Sequence, residues 1–170
     1  CSTTAILVTH DPEEALAICD RVAVMSDGEI HQCSTPSDLV NKPATSFVGR
    51  FVLQRNVVPI KIERDNIYTP LGILINPILD KSFVPTELML DYQSLELKID
   101  LDGEAFVEGV EFQGHNWLLR VSYREFKFRI YCPLEEPLRL GDKCSIRYKN
   151  NKKGLLFPGS IPCSLNIYGS

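Results

Sequence analysis

The fold of the first part of the chain is decided by residues 4–16, which read TAILVTHDPEEAL. Residues 4–8 carry no charge and are β-branched or aliphatic, which predicts a strand buried on both faces of a parallel sheet. Asp11 precedes a proline at the first helical position and Glu14 lies three residues beyond it, so a capped helix should follow. His10 then lies at the carboxyl edge of the strand, where α/β sheets bind their ligands. The simpler alternative is a loop histidine in front of a capped helix.

The pattern after this helix predicts a β-hairpin. Residues 15–19 supply the apolar stripe of the short helix, and residues 21–25 are predicted to form a strand. Residues 26–29 read SDGE, and the Asp-Gly pair suits the left-handed backbone of a tight turn. The returning strand is predicted at residues 30–33.

Two further helices are predicted before residue 54. Thr35 caps the first, which should end before Pro43 because the residue ahead of a proline disfavours helical geometry. The second should begin near Ala44 and bury one face, because four apolar residues recur there at helical spacing: Phe47, Val48, Phe51 and Val52.

From Asn56 onward the sequence changes to short segments of alternating hydrophobicity, separated by Gly, Pro, Asn and Asp. Six of them are predicted to be strands: residues 57–63, 95–100, 105–112, 117–123, 126–130 and 144–148. Strands 105–112 and 117–123 should pair around Gly114. Many short strands at this spacing indicate a small barrel or sandwich, with an oligonucleotide-binding-like (OB-like) topology as the preferred prediction.

Three stretches in a fixed order resemble the end of the nucleotide-binding domain of ATP-binding cassette (ABC) importers: VTHDPEEALA at 8–17, CDRVAVMSDGEI at 19–30 and TPSDL at 35–39. The resemblance is dense over residues 4–52. Beyond them the chain is similar to the transport-associated β domain appended to importer ATPases. The implied architecture is an α/β remnant of a nucleotide-binding domain at 1–54, followed by an all-β OB-like barrel or sandwich domain at 55–170.

The resemblance assigns a catalytic role to one residue of this chain. In the family, the histidine of the T-H-D motif is the switch-loop histidine, which contacts the γ-phosphate and helps to hold the attacking water. His10 is the matching residue. No cofactor-binding or metal-binding residue is assigned.

The resemblance also implies the cofactors, partners, location and cargo of the complete subunit. It implies ATP and Mg²⁺ as cofactors, transmembrane permease subunits and a second copy of the ATPase as partners, and a peripheral location at the cytoplasmic face of the inner membrane. The implied cargo is ferric iron, polyamine, sulfate or sugar, with iron preferred. Residues 55–160 are expected to provide a self-association surface.

Several motifs of a complete ATPase are missing from the sequence. None of the ten glycines is followed by lysine, so the chain has no P-loop to cradle phosphates. It has no LSGGQ-like signature and no apolar strand that ends in Asp-Glu. The chain opens on Cys1, so we expect it to be the tail of a longer protein. We therefore expect this chain to bind no ATP tightly and to hydrolyse none by itself.

The amino-acid composition is typical of one class of protein and disfavours several others. Charged residues make up 24% and hydrophobic residues 44%, which is typical of globular domains. The net charge of −4 disfavours a nucleic-acid partner. No apolar run approaches the roughly 20 residues of a membrane span, and no signal peptide opens the chain. The six cysteines form no C-x-x-C pair, and Cys19 and Cys144, which lie in otherwise apolar elements, are predicted to be buried thiols in a reducing cytosol.

Weaker patterns leave other functions open. His31 and Cys33 resemble half of a metal site, and His115 could mark a ligand pocket, although an exposed hairpin tip is the simpler interpretation. Residues 123–131 mix basic and aromatic side chains, as single-strand nucleic-acid grooves do. A half-buried strand with Phe126 and Phe128 on one face explains this pattern equally. The two alternative functions are a stand-alone small-ligand module and an OB-fold nucleic-acid-binding protein.

Overall fold

A computed structural model describes residues 4–64, 66–75, 84–133, 135, 138–150, 152–165 and 167. The described residues are mostly β-sheet with three short α-helices, α1 (Pro12–Ile18), α2 (Pro36–Asn41) and α3 (Ser46–Phe51). One turn of 3₁₀-helix, η1, spans Tyr92–Ser94. No helix in the described ranges has the length and apolar character needed to cross a membrane.

The predicted buried strand at residues 4–8 is not formed. These residues have no regular secondary structure, and Ile6 and Val8 are 90% and 91% exposed. A parallel strand needs a neighbour reached through a crossover connection. Every strand pair in the described ranges is antiparallel, so this part of the chain offers segment 4–8 no such neighbour.

The helix and the hairpin that were predicted after this segment are both present. The hairpin joins β1 (Val22–Ser26) to β2 (Glu29–Ser34). Asp27 and Gly28 in its turn have φ angles of 52° and 82°, the left-handed geometry of a tight hairpin turn. The predicted apolar stripe of α1 is less buried than expected, because the helix has no buried residue and only Leu16 packs against a hydrophobic cluster.

Helix α2 begins at its predicted Thr35 cap, and α3 begins close to the predicted Ala44. The Thr35 hydroxyl accepts a hydrogen bond from the Asp38 backbone N–H, and the Thr45 hydroxyl accepts one from Val48. A small hydrophobic cluster joins the hairpin to both helices: Val24, Leu39, Val48, Val52 and Leu53. Phe51 was predicted to be buried but is half-exposed, because α3 ends at this residue and its ring stacks on Phe47 at 5.6 Å.

The remaining strands are β3 (Asn56–Pro59), β4 (Lys61–Glu63), β5 (Asn66–Thr69), β6 (Gly72–Ile75), β7 (Glu87–Leu90), β8 (Leu95–Ile99), β9 (Ala105–Phe112), β10 (Trp117–Tyr123), β11 (Phe126–Cys132), β12 (Lys143–Tyr148), β13 (Lys152–Phe157) and β14 (Ile161–Leu165). They form three antiparallel sheets, with the orders β11-β10-β9-β12-β8, β14-β13-β7-β3 and β4-β5-β6. Strands β8 and β11, at opposite ends of the first sheet, also contact each other, so this sheet curves towards closure.

The predicted strand 57–63 is two strands in two different sheets. Strand β3 ends at Pro59, and the Ile60 N–H bonds to the Thr86 carbonyl at 2.9 Å. Strand β4 then begins a separate sheet. The alternating pattern continues across this bend because both strands bury one face.

A second, larger hydrophobic cluster fills the space between the three sheets. Its core includes Val58, Ile67, Leu74, Leu88, Leu90, Leu95, Val107, Leu119, Phe128, Ile130 and Leu156. Strand β11 has the predicted alternation, with Phe128 and Ile130 buried and Lys127 exposed on the opposite face. The half-buried strand therefore accounts for the mixed pattern at residues 123–131.

Candidate functional site

The segment before α1 is fixed by a compact set of hydrogen bonds. The Asp11 carboxylate accepts from the backbone N–H groups of Glu13 at 2.9 Å and Glu14 at 3.4 Å. The Thr9 hydroxyl accepts from the Asp11 N–H at 3.1 Å and donates to the Glu14 carboxylate at 2.8 Å. Glu14 was predicted to close the cap on the Asp11 backbone, but Thr9 makes that bond in its place. These bonds hold the chain on both sides of His10.

His10 lies exposed at the bend directly before α1. Within the described residues its imidazole makes no hydrogen bond. A free imidazole on a fixed backbone is able to donate a hydrogen bond to a phosphoryl oxygen or to a water. The described residues bring no second catalytic group to it, so its catalytic role stays a prediction.

His31 and Cys33 do not converge on a common site. His31 is the extra residue of a bulge in β2, since Val24 pairs with Gln32 and Met25 with Ile30. Its Nδ1 lies 3.4 Å from the Thr45 hydroxyl, and its ring packs on Phe47 at 4.5 Å. Among the described residues no group of three His, Cys, Asp or Glu side chains is placed to hold a metal ion.

His115 lies at an exposed hairpin tip, as the simpler interpretation predicts. It joins β9 to β10 beside Gly114, whose φ is 81°. The Gln113 N–H bonds to the Asn116 carbonyl at 2.9 Å and closes the loop.

A basic cavity of about 590 Å³ lies where the segment after α3 crosses the outer face of strands β9, β10 and β11. We call it the arginine cavity. Its lining consists of Arg50, Gln54, Arg55, Asn56, Val57, Glu108, Arg120, Lys127, Phe128 and Arg129. Five of these residues are cationic and one is acidic, so the cavity favours a negatively charged occupant.

Three of the five cations have a carboxylate partner. Arg50 pairs with Glu87 at 2.6 Å, Arg55 with Asp91 at 2.5 Å and Lys127 with Glu108 at 3.1 Å. Arg55 also lies 4.6 Å from the centre of the Tyr92 ring. Burial raises the pKa of Tyr92, and the positive charge of Arg55 partly opposes that rise.

The remaining two cations, Arg120 and Arg129, are register partners on β10 and β11, and the Arg120 guanidinium lies against Gly109 of β9, on the other side of β10. Neither forms an ion pair within the described residues. The Arg129 Nε–H is buried and has no acceptor.

The sequence did not reveal this cavity. Alternation along β11 already indicated that Lys127 and Arg129 share the outer face. The antiparallel register then places Arg120 beside Arg129, although they are nine positions apart in the chain. The third component, the segment at residues 50–57 that covers this face, depends on long-range contacts and left no local signal.

The chain is similar to ATP-binding proteins of bacterial importers. It is 36% identical over 135 residues to the spermidine/putrescine import ATP-binding protein PotA of Spiroplasma citri, covering 75% of this chain and 38% of the relative. It is 31% identical over 156 residues to PotA of Mesoplasma florum, covering 86% and 43%. It is also 51% identical over 59 residues to the Fe(3+) ions import ATP-binding protein FbpC of Rhizobium etli, covering 35% and 17%.

The chain spans between 17% and 43% of the length of these relatives. No family profile matches it. Its relatives are ABC importer ATP-binding subunits, and this confirms the resemblance at the level of the protein class.

Proposed function

We propose that this chain is the C-terminal portion of the ATP-binding subunit of an ABC importer. The observation that carries the proposal is the similarity to importer ATP-binding proteins, which extends over 75% to 86% of the chain in the longer matches. In this proposal residues 1–54 end the nucleotide-binding domain, and residues 55–170 form a transport-associated domain with an OB-like arrangement.

The exposed segment 4–8 supports this division. Ile6 and Val8 present an apolar surface to solvent, and contiguous exposed apolar residues mark a surface made for a partner. We propose that the segment completes a parallel sheet with the rest of the nucleotide-binding domain. Its burial would then place His10 at the carboxyl edge of that sheet.

His10 is the residue of this chain that we propose for the catalytic cycle. Phosphoryl transfer depends mainly on positioning and on electrostatic stabilisation of the transferred group. The cap formed by Thr9 and Asp11 holds the backbone on both sides of His10, so its imidazole is free to donate to the γ-phosphate or the attacking water. The groups that bind the other phosphates and Mg²⁺ would come from the remainder of the subunit.

The names of the relatives support one class of cargo for the proposed importer over the others. Four matches of 133 to 156 residues carry spermidine and putrescine in their names, whereas relatives named for ferric iron match over 59 to 120 residues. We therefore propose polyamine as the cargo ahead of iron, which the sequence alone had favoured. The proposed partners are the permease subunits and a second copy of the ATPase, at the cytoplasmic face of the membrane.

The coding sequence ahead of Cys1 tests this proposal directly. We expect a Gly-x-x-x-x-Gly-Lys-Ser/Thr motif roughly 150 residues earlier, followed by a signature motif and a strand that ends in Asp-Glu. An open reading frame that lacks all three would contradict the transporter and leave a free-standing binding module as the function.

A further inference from the structure

We propose that Thr9 and Glu14 position the imidazole of His10 for ATP hydrolysis, and that Glu14 acts through the Thr9 hydroxyl. Both are positioning residues, because they influence the reaction only through His10. This inference rests on the proposed function of His10 and deepens it by adding two residues to the same site. Three features of the described residues support it.

The first feature is a hydrogen-bonded ring that encloses residue 10. The Thr9 hydroxyl accepts a hydrogen bond from the Asp11 N–H at 3.1 Å. Threonine hydroxyls form local turns of this kind with the backbone two residues further on. The N–Cα and Cα–C bonds of His10 both lie within the ring, so the two backbone rotations that direct its side chain are restricted together.

The second feature is the position of the Thr9 hydroxyl between a donor and a carboxylate. The hydroxyl donates to the Glu14 carboxylate at 2.8 Å while it accepts from the Asp11 N–H. A hydroxyl that donates to an ionised group becomes a better acceptor, because linked hydrogen bonds polarise one another. Glu14 lies in the first turn of α1. Its bond to Thr9 therefore strengthens the ring around residue 10 and attaches that ring to the helix.

The third feature is the lack of other support for His10 within the described ranges. Residues 4–8 are exposed and have no regular secondary structure, whereas Thr9 is half-buried. The His10 imidazole makes no hydrogen bond in this part of the chain. The direction of the imidazole therefore depends on the backbone of residue 10, and hence on Thr9.

The cap of α1 does not account for the Thr9 bonds. The Asp11 carboxylate already accepts from the helical N–H groups of Glu13 and Glu14. The Asp11 N–H that Thr9 accepts comes before the helix, and a glutamate at the third helical position commonly binds this group directly. Here Glu14 binds the Thr9 hydroxyl in its place, which leaves residue 10 inside the hydrogen-bonded ring.

The expected consequence is a change in kcat. Phosphoryl transfer depends on donors that are already directed at the transferred group before the reaction begins. Displacement of such a donor lowers the rate of the bound complex, whereas binding of the ground state is nearly unchanged. Loss of the Thr9 hydroxyl should therefore lower kcat for ATP and leave the affinity for ATP intact.

ATP hydrolysis by the full-length subunit tests the inference. Thr9→Val keeps the β-branched shape without the hydroxyl and should lower kcat about tenfold, with KM for ATP unchanged within about twofold. Thr9→Ser keeps a hydroxyl and should hydrolyse ATP within about threefold of the wild type. On a His10→Ala background, Thr9→Val should cause no further loss, because its effect is transmitted by the imidazole.

Glu14→Ala and Glu13→Ala form a matched pair of variants. Each removes a carboxylate from the first turn of α1, but in the described structure it is Glu14 that bonds to Thr9. Glu14→Ala should lower kcat as Thr9→Val does, and the two changes together should lower it no further, because they break the same network. Glu13→Ala should retain kcat within about twofold of the wild type.

Relaxation of ¹⁵N nuclei in this chain provides a readout that does not depend on ATP hydrolysis. Thr9→Val should lower the order parameter of the His10 backbone amide, whereas Thr9→Ser should retain the wild-type value. The amides of residues 15–18 should keep their order parameters in both variants, because the Asp11 cap of α1 stays intact.

Different results would contradict the positioning role and the proposed function. Wild-type kcat in Thr9→Val, beside a His10→Ala variant that has lost hydrolysis, would overturn the positioning role alone. Wild-type hydrolysis by His10→Ala would overturn both. A further loss from Thr9→Val on the His10→Ala background, or lowered order parameters throughout α1, would show that Thr9 supports the fold in general and would overturn the inference. Equal order parameters of the His10 amide in the wild type and Thr9→Val would also overturn it.

Discussion

Asn56 illustrates how one residue joins distant parts of this fold. It is 5% exposed, and its side-chain amide satisfies both backbone groups of Arg129, which lies 73 residues further along the chain. Arg129 belongs to an end strand of the five-stranded sheet. Asn56 therefore attaches the start of β3 to that sheet with the geometry of a backbone ladder.

Replacement of Asn56 by alanine should destabilise the protein. The change leaves the Arg129 N–H and carbonyl without partners, at a cost of about 1–3 kcal/mol for each group that stays dry. Urea unfolding measures the loss. The control is Asn41→Ala, which removes an exposed amide from α2 and should cost less than about 0.5 kcal/mol. Equal stability of the two variants would contradict this role of Asn56.

Two buried thiols should make stability depend on alkaline pH. Burial raises the pKa of both Cys144 and Cys163 from 9.0 to about 11. Folding therefore favours the protonated thiols, so their contribution is complete below pH 9 and is lost as pH rises towards 11. The loss should reach on the order of 2 kcal/mol per thiol.

The free energy of unfolding in urea, measured at intervals from pH 9 to pH 11, gives the slope of stability against pH. The double variant Cys144→Ala/Cys163→Ala is the control for the titration of lysine and tyrosine. Its stability should fall less steeply than that of the wild type. Identical slopes would mean that these thiols titrate as they do in the unfolded chain.

At the scale of secondary-structure elements, the sequence correctly predicted those features that are determined by a few adjacent residues. The Asp27–Gly28 turn, the Thr35 cap of α2 and the β9–β10 hairpin all lie where the sequence placed them. Each depends on a few adjacent residues. Strands β7, β13 and β14 were not predicted. Strand β7 pairs across large separations in sequence, with β3 and β13, whereas β13 and β14 form a local hairpin whose strands contain Gly154 and Pro162, two residue types that strands disfavour.

The candidate sites also include one feature that adjacent residues determine and others that depend on long-range contacts. The position of His10 before a capped helix was predictable, because Asp11 and Pro12 determine the helix start locally. The burial predicted for residues 4–8 was wrong for this chain, since burial requires neighbouring strands that the described ranges do not supply. The arginine cavity also needs a long-range contact, between residues 50–57 and β11.

Helix α1 should depend strongly on its cap. It has seven residues and no buried side chain, and isolated helices shorter than about 12–15 residues are marginal in water. Asp11→Ala removes the acceptor for two backbone N–H groups and should cost about 1 kcal/mol locally. Amide hydrogen exchange should show lost protection from residue 14 to residue 19, with the global unfolding midpoint unchanged.

Asp20→Ala is the matched control for this prediction, since it changes an exposed aspartate just beyond the other end of α1. Its exchange pattern should match the wild type. Full protection of α1 in Asp11→Ala would show that packing of Leu16, and not the cap, holds the helix.

At the scale of the whole molecule, one end of the five-stranded sheet exposes apolar side chains. Ile99, Leu101, Phe106 and Leu140 are all solvent-exposed. All four lie at the same end of the sheet, because Ile99 pairs with Cys144, Phe106 pairs with Lys143, and the loop at Leu140 bonds to β9; Ile99 points to the opposite face of the sheet from Phe106. Exposed apolar patches mark interaction surfaces, and a two-fold contact between identical chains is the commonest arrangement.

We therefore expect the chain to form a dimer through this patch. Sedimentation velocity at tens of micromolar should show the dimer. The double variant Leu101→Glu/Leu140→Glu should be a monomer, whereas Ile30→Glu, on an exposed strand outside the patch, should remain a dimer. A monomeric wild type would place dimer formation outside these residues.

The central claim is that this chain supplies the switch-loop histidine of an importer ATPase, and ATP hydrolysis by the full-length protein tests it most directly. The comparison is between His10→Ala and the matched control His115→Ala, which removes an exposed histidine from the β9–β10 hairpin tip. We predict that His10→Ala lowers the hydrolysis rate by roughly 10²-fold or more while nucleotide affinity is retained, as expected for loss of a group that stabilises the transition state. His115→Ala should hydrolyse ATP within twofold of the wild type. Equal rates for the two variants would contradict the claim.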